Sequence, residues 1–215
     1  MGRSLNPLSS LWRRDDTSAA KLYGAIVAQA RLPVFYQGFG VPDTLEGRFL
    51  VLSLHLFATL HRLKAEGPKS EGPKSEGPKS EGAKSEGAKS EGAKALELAQ
   101  DLIDRFGADM ETVLREIGVG DLSIPKKVRG LAASGASLLQ AYEEALAEGN
   151  EALAAAITEA LPPGQEPSGA VGRRLAHYLK GVVGLLQAQD FAALSAGEMR
   201  FPGAIPGEEP GDDFA

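Results

Sequence analysis

The chain has 215 residues, 43% of them hydrophobic and 6% aromatic, with a formal net charge of -6. That balance excludes a domain built as a whole to bind DNA, because neutralising phosphates takes Lys and Arg in clustered excess. Cysteine is absent, which removes disulfides, thiolate nucleophiles and cysteine-bound metal and leaves the fold to stand on burial alone.

At the start, Arg3, Arg13 and Arg14 surround Leu5, Leu8, Leu11 and Trp12. No apolar run follows the charges as it would in a secretory signal, and Asp15 and Asp16 come early for a transit peptide. Residues 1–16 therefore read as a flexible basic arm that can touch a membrane surface or fray. A first helix is expected from Thr17 or Ser18 to about Arg31, with Leu22, Ile26 and Ala30 on its stripe, and Pro33 ends it. Val34 to Phe39 is a short aromatic piece, helical or irregular, closed by Gly40.

Asp43 and Glu46 are spaced as in a capping box, with Asp in place of the usual hydroxyl residue. The helix they open, Thr44 to Lys64, places Leu45, Phe49, Leu52, Leu56, Leu60 and Leu63 on one face. Leu50, Leu54 and Phe57 widen the stripe until the helix is apolar nearly all round, which suits the centre of a bundle or a surplus surface for a partner. Its most apolar part, Phe49 to Leu60, is interrupted by Ser53, His55 and Thr59 and falls short of the roughly 18–20 residues that span a bilayer.

Residues 66–94 repeat Glu-Gly-Pro-Lys-Ser three times, Glu-Gly-Ala-Lys-Ser twice, and close on Glu-Gly-Ala-Lys. With nothing apolar larger than Ala, the repeat cannot offset its ordering entropy, and a disordered loop is expected, although its alanine half could fray into helix. Loop closure grows only logarithmically with length, so the fold tolerates it.

The longest legible unit runs from Leu96 to Leu131. Leu96, Ala99, Ile103, Phe106, Met110, Val113 and Ile117 alternate spacings of three and four, the pattern of one buried helical face. Gly118-Val119-Gly120-Asp121 breaks the period, and Val128, Leu131, Gly135, Leu138, Tyr142 and Ala145 or Leu146 restart it. Gly149 ends that helix in the left-handed capping role. A short helix from Glu151 to Leu161 stops at Pro162-Pro163. Val171, Leu175, Tyr178, Val182, Leu185 and Leu186 mark a last amphipathic helix, with a further helical turn over Phe191 to Leu194. From residue 201 the composition reads as a disordered acidic tail. No alternating strand pattern appears. The expected fold is all-α: one bundle of about six helices over residues 17–200, interrupted by the loop.

Catalytic chemistry is not visible. His55 and His61 are six apart, hence on different helical faces, and His177 stands alone, so no metal pair forms. No Glu-x-x-His motif, Gly-x-Ser-x-Gly elbow, phosphate-binding glycine loop or dinucleotide fingerprint is present. An enzyme is not expected, nor a cofactor or metal. Two basic clusters remain: Lys126, Lys127 and Arg129, and Arg173 with Arg174. Each opens a helix, at the end where the dipole disfavours cations. A solvated face explains them, and docking to anionic lipid or ribosomal RNA is the alternative.

Several stretches together resemble the ubiquinol–cytochrome c chaperone family. They are Leu22-Tyr23-Gly24-Ala25-Ile26-Val27-Ala28-Gln29-Ala30-Arg31, Gly40-Val41-Pro42-Asp43-Thr44 with Gly47-Arg48-Phe49, and the His55-Leu56 helix. Ala108-Asp109-Met110, Leu114-Arg115-Glu116-Ile117-Gly118-Val119-Gly120-Asp121-Leu122 and Lys126-Lys127-Val128 complete the set. The match runs in order over residues 20–64 and 95–147, and the alanine- and glycine-rich composition looks like that of a bacterial member. One step departs from the pattern: relatives tend to carry Phe-Tyr-Gly-Arg where this chain reads Gly135-Ala136-Ser137-Leu138.

The resemblance implies an all-helical, non-enzymatic assembly factor for ubiquinol–cytochrome c reductase. Mitochondrial relatives bind new cytochrome b near the ribosomal tunnel exit, usually with a small partner, and hand it on for haem insertion. The client implied here is cytochrome b or another complex III assembly component; the apolar-all-round helix from Thr44 to Lys64 and the aromatic Val34 to Phe39 piece suggest that it is held by burying an apolar helix in a groove. The implied location is the bacterial cytoplasm, with peripheral contact to the inner membrane or the ribosome. The partner-binding residues expected are Phe39, from the aromatic segment, and Asp43, Arg48, Phe49, Asp109, Arg115, Gly118, Gly120, Asp121, Lys126 and Lys127, from the stretches that carry the resemblance. A helical domain enclosing a small ligand or lipid in an apolar pocket is the competing expectation.

Overall fold

The computed structural model describes residues 17–67, 82–164 and 167–203. The expected arm (1–16), residues 68–81 of the expected loop, the tail from 204 and the Leu131 side chain lie outside the described residues. Among those described, eight helices follow one another: α1 (Ser18–Ala30), α2 (Val34–Gln37), α3 (Leu45–Glu66), α4 (Gly82–Glu116), α5 (Ile124–Glu148), α6 (Asn150–Ala160), α7 (Ser168–Ala188) and α8 (Phe191–Ser195). Six are long and two are short, so the all-α bundle is as expected.

Helix α3 is the axis. Thr44 caps it, its hydroxyl accepting from the Gly47 amide at 3.2 Å. The capping position is thus Thr44 and not Asp43, whose carboxylate pairs with Arg48 instead. From Leu50 to Thr59 every residue of α3 is buried, and α1, α4, α5 and α7 pack around it. The apolar side chains fully buried here each contribute roughly 1.5–3 kcal/mol. Leu45, expected on the buried face, is 48% exposed at the N-terminal end, where the surrounding helices no longer cover α3.

Polar groups inside this packing are satisfied by specific partners. His55 Nδ1 lies 2.7 Å from the Val51 carbonyl and must donate to it, so Nε2 accepts from the Tyr178 hydroxyl at 2.9 Å. That hydroxyl accepts in turn from the Gln29 amide, which also donates to the Pro202 carbonyl. The chain of bonds ties α1, α3, α7 and the C-terminal segment together, and Phe201 packs edge-on against His55 with ring centroids 5.1 Å apart. Arg62 is buried and donates to the carbonyls of Leu186 and Gln189, closing the end of α7, while Glu66 holds its remaining edge. A cation at a helix C-terminus is the arrangement the dipole favours.

Two expectations about α4 change. The helix begins at Gly82, inside the repeat, so the alanine-bearing units from 82 to 94 extend it where a loop was expected. These units lack the proline of the earlier ones, and propagation from an established helix is far less costly than nucleation. The buried stripe is also shifted. Leu96, Ile103 and Ile117 are 51%, 44% and 55% exposed, whereas Ala95, Leu98, Leu102, Met110 and Leu114 are buried. A 3.5-residue pattern drifts about 20° per heptad around a straight helix, and two apolar stripes one residue apart compete on this one.

The second helix of that unit keeps Tyr142 and Ala145 buried, with Leu138, Leu139 and Leu146 packed partly against the core. Gly149, at φ +126°, both ends α5 and begins α6. Tyr142 packs edge-on against Phe57, and its buried hydroxyl makes no hydrogen bond among the described residues. Tyr142→Phe is therefore expected to leave stability unchanged or raise it by up to about 1 kcal/mol, since removing an unsatisfied polar atom relieves its desolvation. A urea midpoint lowered by the substitution would show that the hydroxyl has a partner.

Candidate functional site

The exposed end of α3 faces a groove of about 490 Å3, walled by the C-terminal part of α1, by α2, by α4 from Asp109 to Leu114, and by Ser134 and Leu138 of α5. Its floor is apolar: Phe49, Leu50, Leu52, Met110 and Val113, with Val27 at one side. Leu45 and Arg48 stand at its mouth, both exposed. The Arg48 guanidinium lies 5.5 Å over the Tyr36 ring and is held at 2.6 Å by Asp43, whose carboxylate strengthens its hold on the proton. Tyr36 is fixed by donating to the Ala30 carbonyl at 2.8 Å. Behind the floor, the rings of Phe49 and Phe106 meet at 5.9 Å.

A larger cleft of about 750 Å3 runs between α1 and α4 on the other side of Asp109. The Tyr23 hydroxyl donates to Asp109 at 2.8 Å and joins the two helices there; burial and the adjoining carboxylate both raise the phenol's pKa. Asp101, Asp104, Arg105 and Thr112 line this cleft together with Ala19, Ala20, Val27 and Ala108, so its walls are mixed where those of the groove are mainly apolar. For an apolar ligand the smaller groove is the better site despite its size, because affinity there comes from apolar area removed from water.

Of the residues singled out in the sequence, Arg48, Phe49 and Asp109 line the groove, and Asp43 anchors Arg48 from outside it. Phe39 does not belong to any open surface. It is buried against Phe35 and Tyr178, and its carbonyl accepts from Arg174 Nε and Nη2. Arg174, read from sequence as part of a surface basic cluster, is half-buried and ties α7 to the Phe39 backbone. Arg115, Gly118, Gly120, Asp121, Lys126 and Lys127 gather at the α4–α5 corner and do not line the groove. Arg115 bridges Glu111 at 2.7 Å and Asp121 at 2.8 Å. Gly118 adopts φ +84°, with its amide on the Arg115 carbonyl and the Val119 amide on that of Leu114, the double closure of a Schellman turn. Gly120 has no such backbone requirement.

Sequence reasoning passed over Leu45, Val27 and Leu138 as lining groups. Leu45 carried the usable signal, an apolar residue in the first turn of a helix where few neighbours can reach it. Arg62 and Gln29 gave none, because their partners are backbone carbonyls and a hydroxyl more than a hundred residues away. Among the described residues no group of three or more His, Cys, Asp or Glu could hold a metal ion.

The family model described as "Ubiquinol-cytochrome C chaperone" matches residues 37–201. Among solved structures, the "Crystal structure of the Cbp3 homolog from Brucella abortus" superposes with a TM-score of 0.67 at 32% identity, covering 91% of this chain and 94% of that one. Among curated proteins nothing matches. The matched span takes in the groove floor on α3, its wall on α4 and α5, and the Schellman corner. Identity at that level over nearly the full length of both chains carries more than a shared helical outline, and the chain belongs to the ubiquinol–cytochrome c chaperone family.

Proposed function

We propose that the α1–α3–α4–α5 groove is where this protein holds an apolar helical segment of its client, newly made cytochrome b or another component of complex III. The broader role comes with the family: a non-enzymatic chaperone in assembly of the cytochrome bc1 complex. The observation that carries the groove reading is a half-exposed Leu45 at the mouth of an otherwise apolar trough floored by Phe49 and Val113. One helical turn with its side chains fills a cylinder about 10 Å across and 5.4 Å tall, on the order of 400 Å3. The trough thus suits the apolar face of about one turn, with the rest of the client leaving across the rim. An opening of this kind favours a chain segment over a small ligand sealed inside. The charged rim of Arg48, Glu46 and Arg31 adds orientation more than affinity.

Leu45 is exposed enough for Leu45→Asp to leave the fold intact while placing a charge at the mouth. The substitution is expected to reduce capture of nascent cytochrome b about tenfold, the worth of roughly half a buried leucine. Leu96→Asp, at an equally exposed site that does not line the groove, is the control and should capture normally. Equal capture by the two variants would overturn the groove reading. No helix among the described residues is long and apolar enough to cross a membrane.

A further inference from the structure

We infer that the α4–α5 corner is a docking tip for an anionic lipid surface, placing Leu122 and Ile117 among acyl chains and Lys126, Lys127 and Arg129 among headgroups. This goes beyond the groove reading, since none of these residues lines the groove. Leu122 is fully exposed, at 100%, and Ile117 at 55%, on a corner where Leu114 and Ile124 are buried and Val119 is half-buried. A large aliphatic side chain with no protein neighbour at the apex of a helical hairpin has no role in packing. Lys126, Lys127 and Arg129 are all exposed or nearly so, and no ion pair engages them among the described residues. Arg115 differs in bridging Glu111 and Asp121 at once, so its single charge offsets one of those carboxylates and leaves the other uncompensated beside Glu116. Residues 111–130 still carry four cations against three acids.

The chain as a whole carries -6 and is repelled by an anionic surface, so docking needs a local patch of opposite sign, and this patch also fixes orientation. The three cations sit in the first turns of α5, where the helix dipole opposes them, so the protein itself gains nothing from their placement. Each phosphate-bearing headgroup would reverse that penalty. The Schellman closure at Gly118 holds the apex in one geometry, which favours insertion without prior ordering. RNA fits less well. The segment from Ile117 to Gly130 has no aromatic side chain on which a base could stack, and a phosphate backbone offers nothing to Leu122. With the tip on a bilayer, the groove wall at Ser134 would stand about 15 Å along α5 from its start, close to where a membrane-bound client emerges.

The test is co-sedimentation of the full chain with vesicles of phosphatidylcholine and phosphatidylglycerol, roughly 7:3, beside pure phosphatidylcholine, in moderate salt. The wild type is expected on the anionic vesicles only. Lys126→Ala/Lys127→Ala should weaken partitioning about thirty-fold and Leu122→Asp at least about tenfold, with thermal midpoints unchanged because all three side chains are exposed. In a Trp12→Phe/Leu122→Trp variant, whose single tryptophan reports on the apex, emission should shift to the blue on anionic vesicles. Retention of wild-type partitioning by both tip variants would overturn the proposal. So would binding of neither vesicle, or binding of duplex RNA without vesicles. Client capture by Leu122→Asp should match wild type, so failure of the tip and failure of the groove are told apart.

Discussion

Replacing Gly172 by alanine is expected to cost about 2 kcal/mol, although the same change improves helix propensity. Gly172 is buried in α7 where that helix crosses α6, the most extensively packed pair in the bundle. An added Cβ would overlap the Thr158 hydroxyl and come within 2.8 Å of the Ala154 carbonyl. The hydroxyl can rotate away only by giving up its bond to that carbonyl, at 2.6 Å. The carbonyl cannot move, because it belongs to the backbone of α6. Overpacking of this kind costs about 1–3 kcal/mol or somewhat more, and the gain of about 1 kcal/mol from leaving glycine offsets only part of it. For a chain of this size the loss lowers the thermal midpoint by about 4–8 °C.

Gly181 and Gly184 lie on the same helix, and a Cβ added at either would meet nothing within 4 Å. Alanine at either should stabilise by up to about 1 kcal/mol. Opposite signs along one helix would isolate the crossing as the cause, and a stable Gly172→Ala protein would show that α6 and α7 can separate freely. Thr158→Ala combined with Gly172→Ala should recover part of the loss, the Ala154 carbonyl retaining the rest.

Most of the helices were legible because their apolar spacing and their stops are local features. Pro33, Gly149 and Pro162-Pro163 each end a helix within two or three residues of where their chemistry requires. The face of α4 was not legible in the same way. Leu96 and Ile103 compete with Ala95 and Leu102 for the core, and the decision belongs to α1 and α3, which lie elsewhere in the chain. The groove was half legible. Phe49, Arg48 and Asp109 came from the family pattern, while the wall at Leu138 depends on how far along α4 the next helix returns. Phe39 shows the converse error, an aromatic in an irregular stretch that looks available and is in fact locked by Tyr178 and Arg174.

Acid should destabilise this protein through His55 before its carboxylates titrate. Burial pushes the imidazole down to about 4, against a smaller opposing effect of its bond to Val51. Its Nε2 must stay unprotonated to accept from Tyr178, and among the described residues no acidic group contacts the ring to compensate a charge. In the unfolded chain the same group titrates near 6.5. Between those values the unfolded state binds the extra proton, so this contribution is present in full well above pH 6.5 and is lost as pH drops from there toward 4. The loss amounts to about 2 kcal/mol by about pH 5 and about 3 kcal/mol by about pH 4. Glu143 acts in a separate, lower window. Burial alone would raise its pKa, but hydrogen bonds from His61 and Lys64 bring it below the ordinary carboxylate value, so its contribution persists until pH falls through that range. Urea midpoints at about pH 7.5 and about pH 5 should therefore separate clearly in the wild type, and much less in His55→Gln, whatever that variant loses at neutral pH. Equal separation in the two proteins would mean that the buried imidazole is not the group taking up the proton.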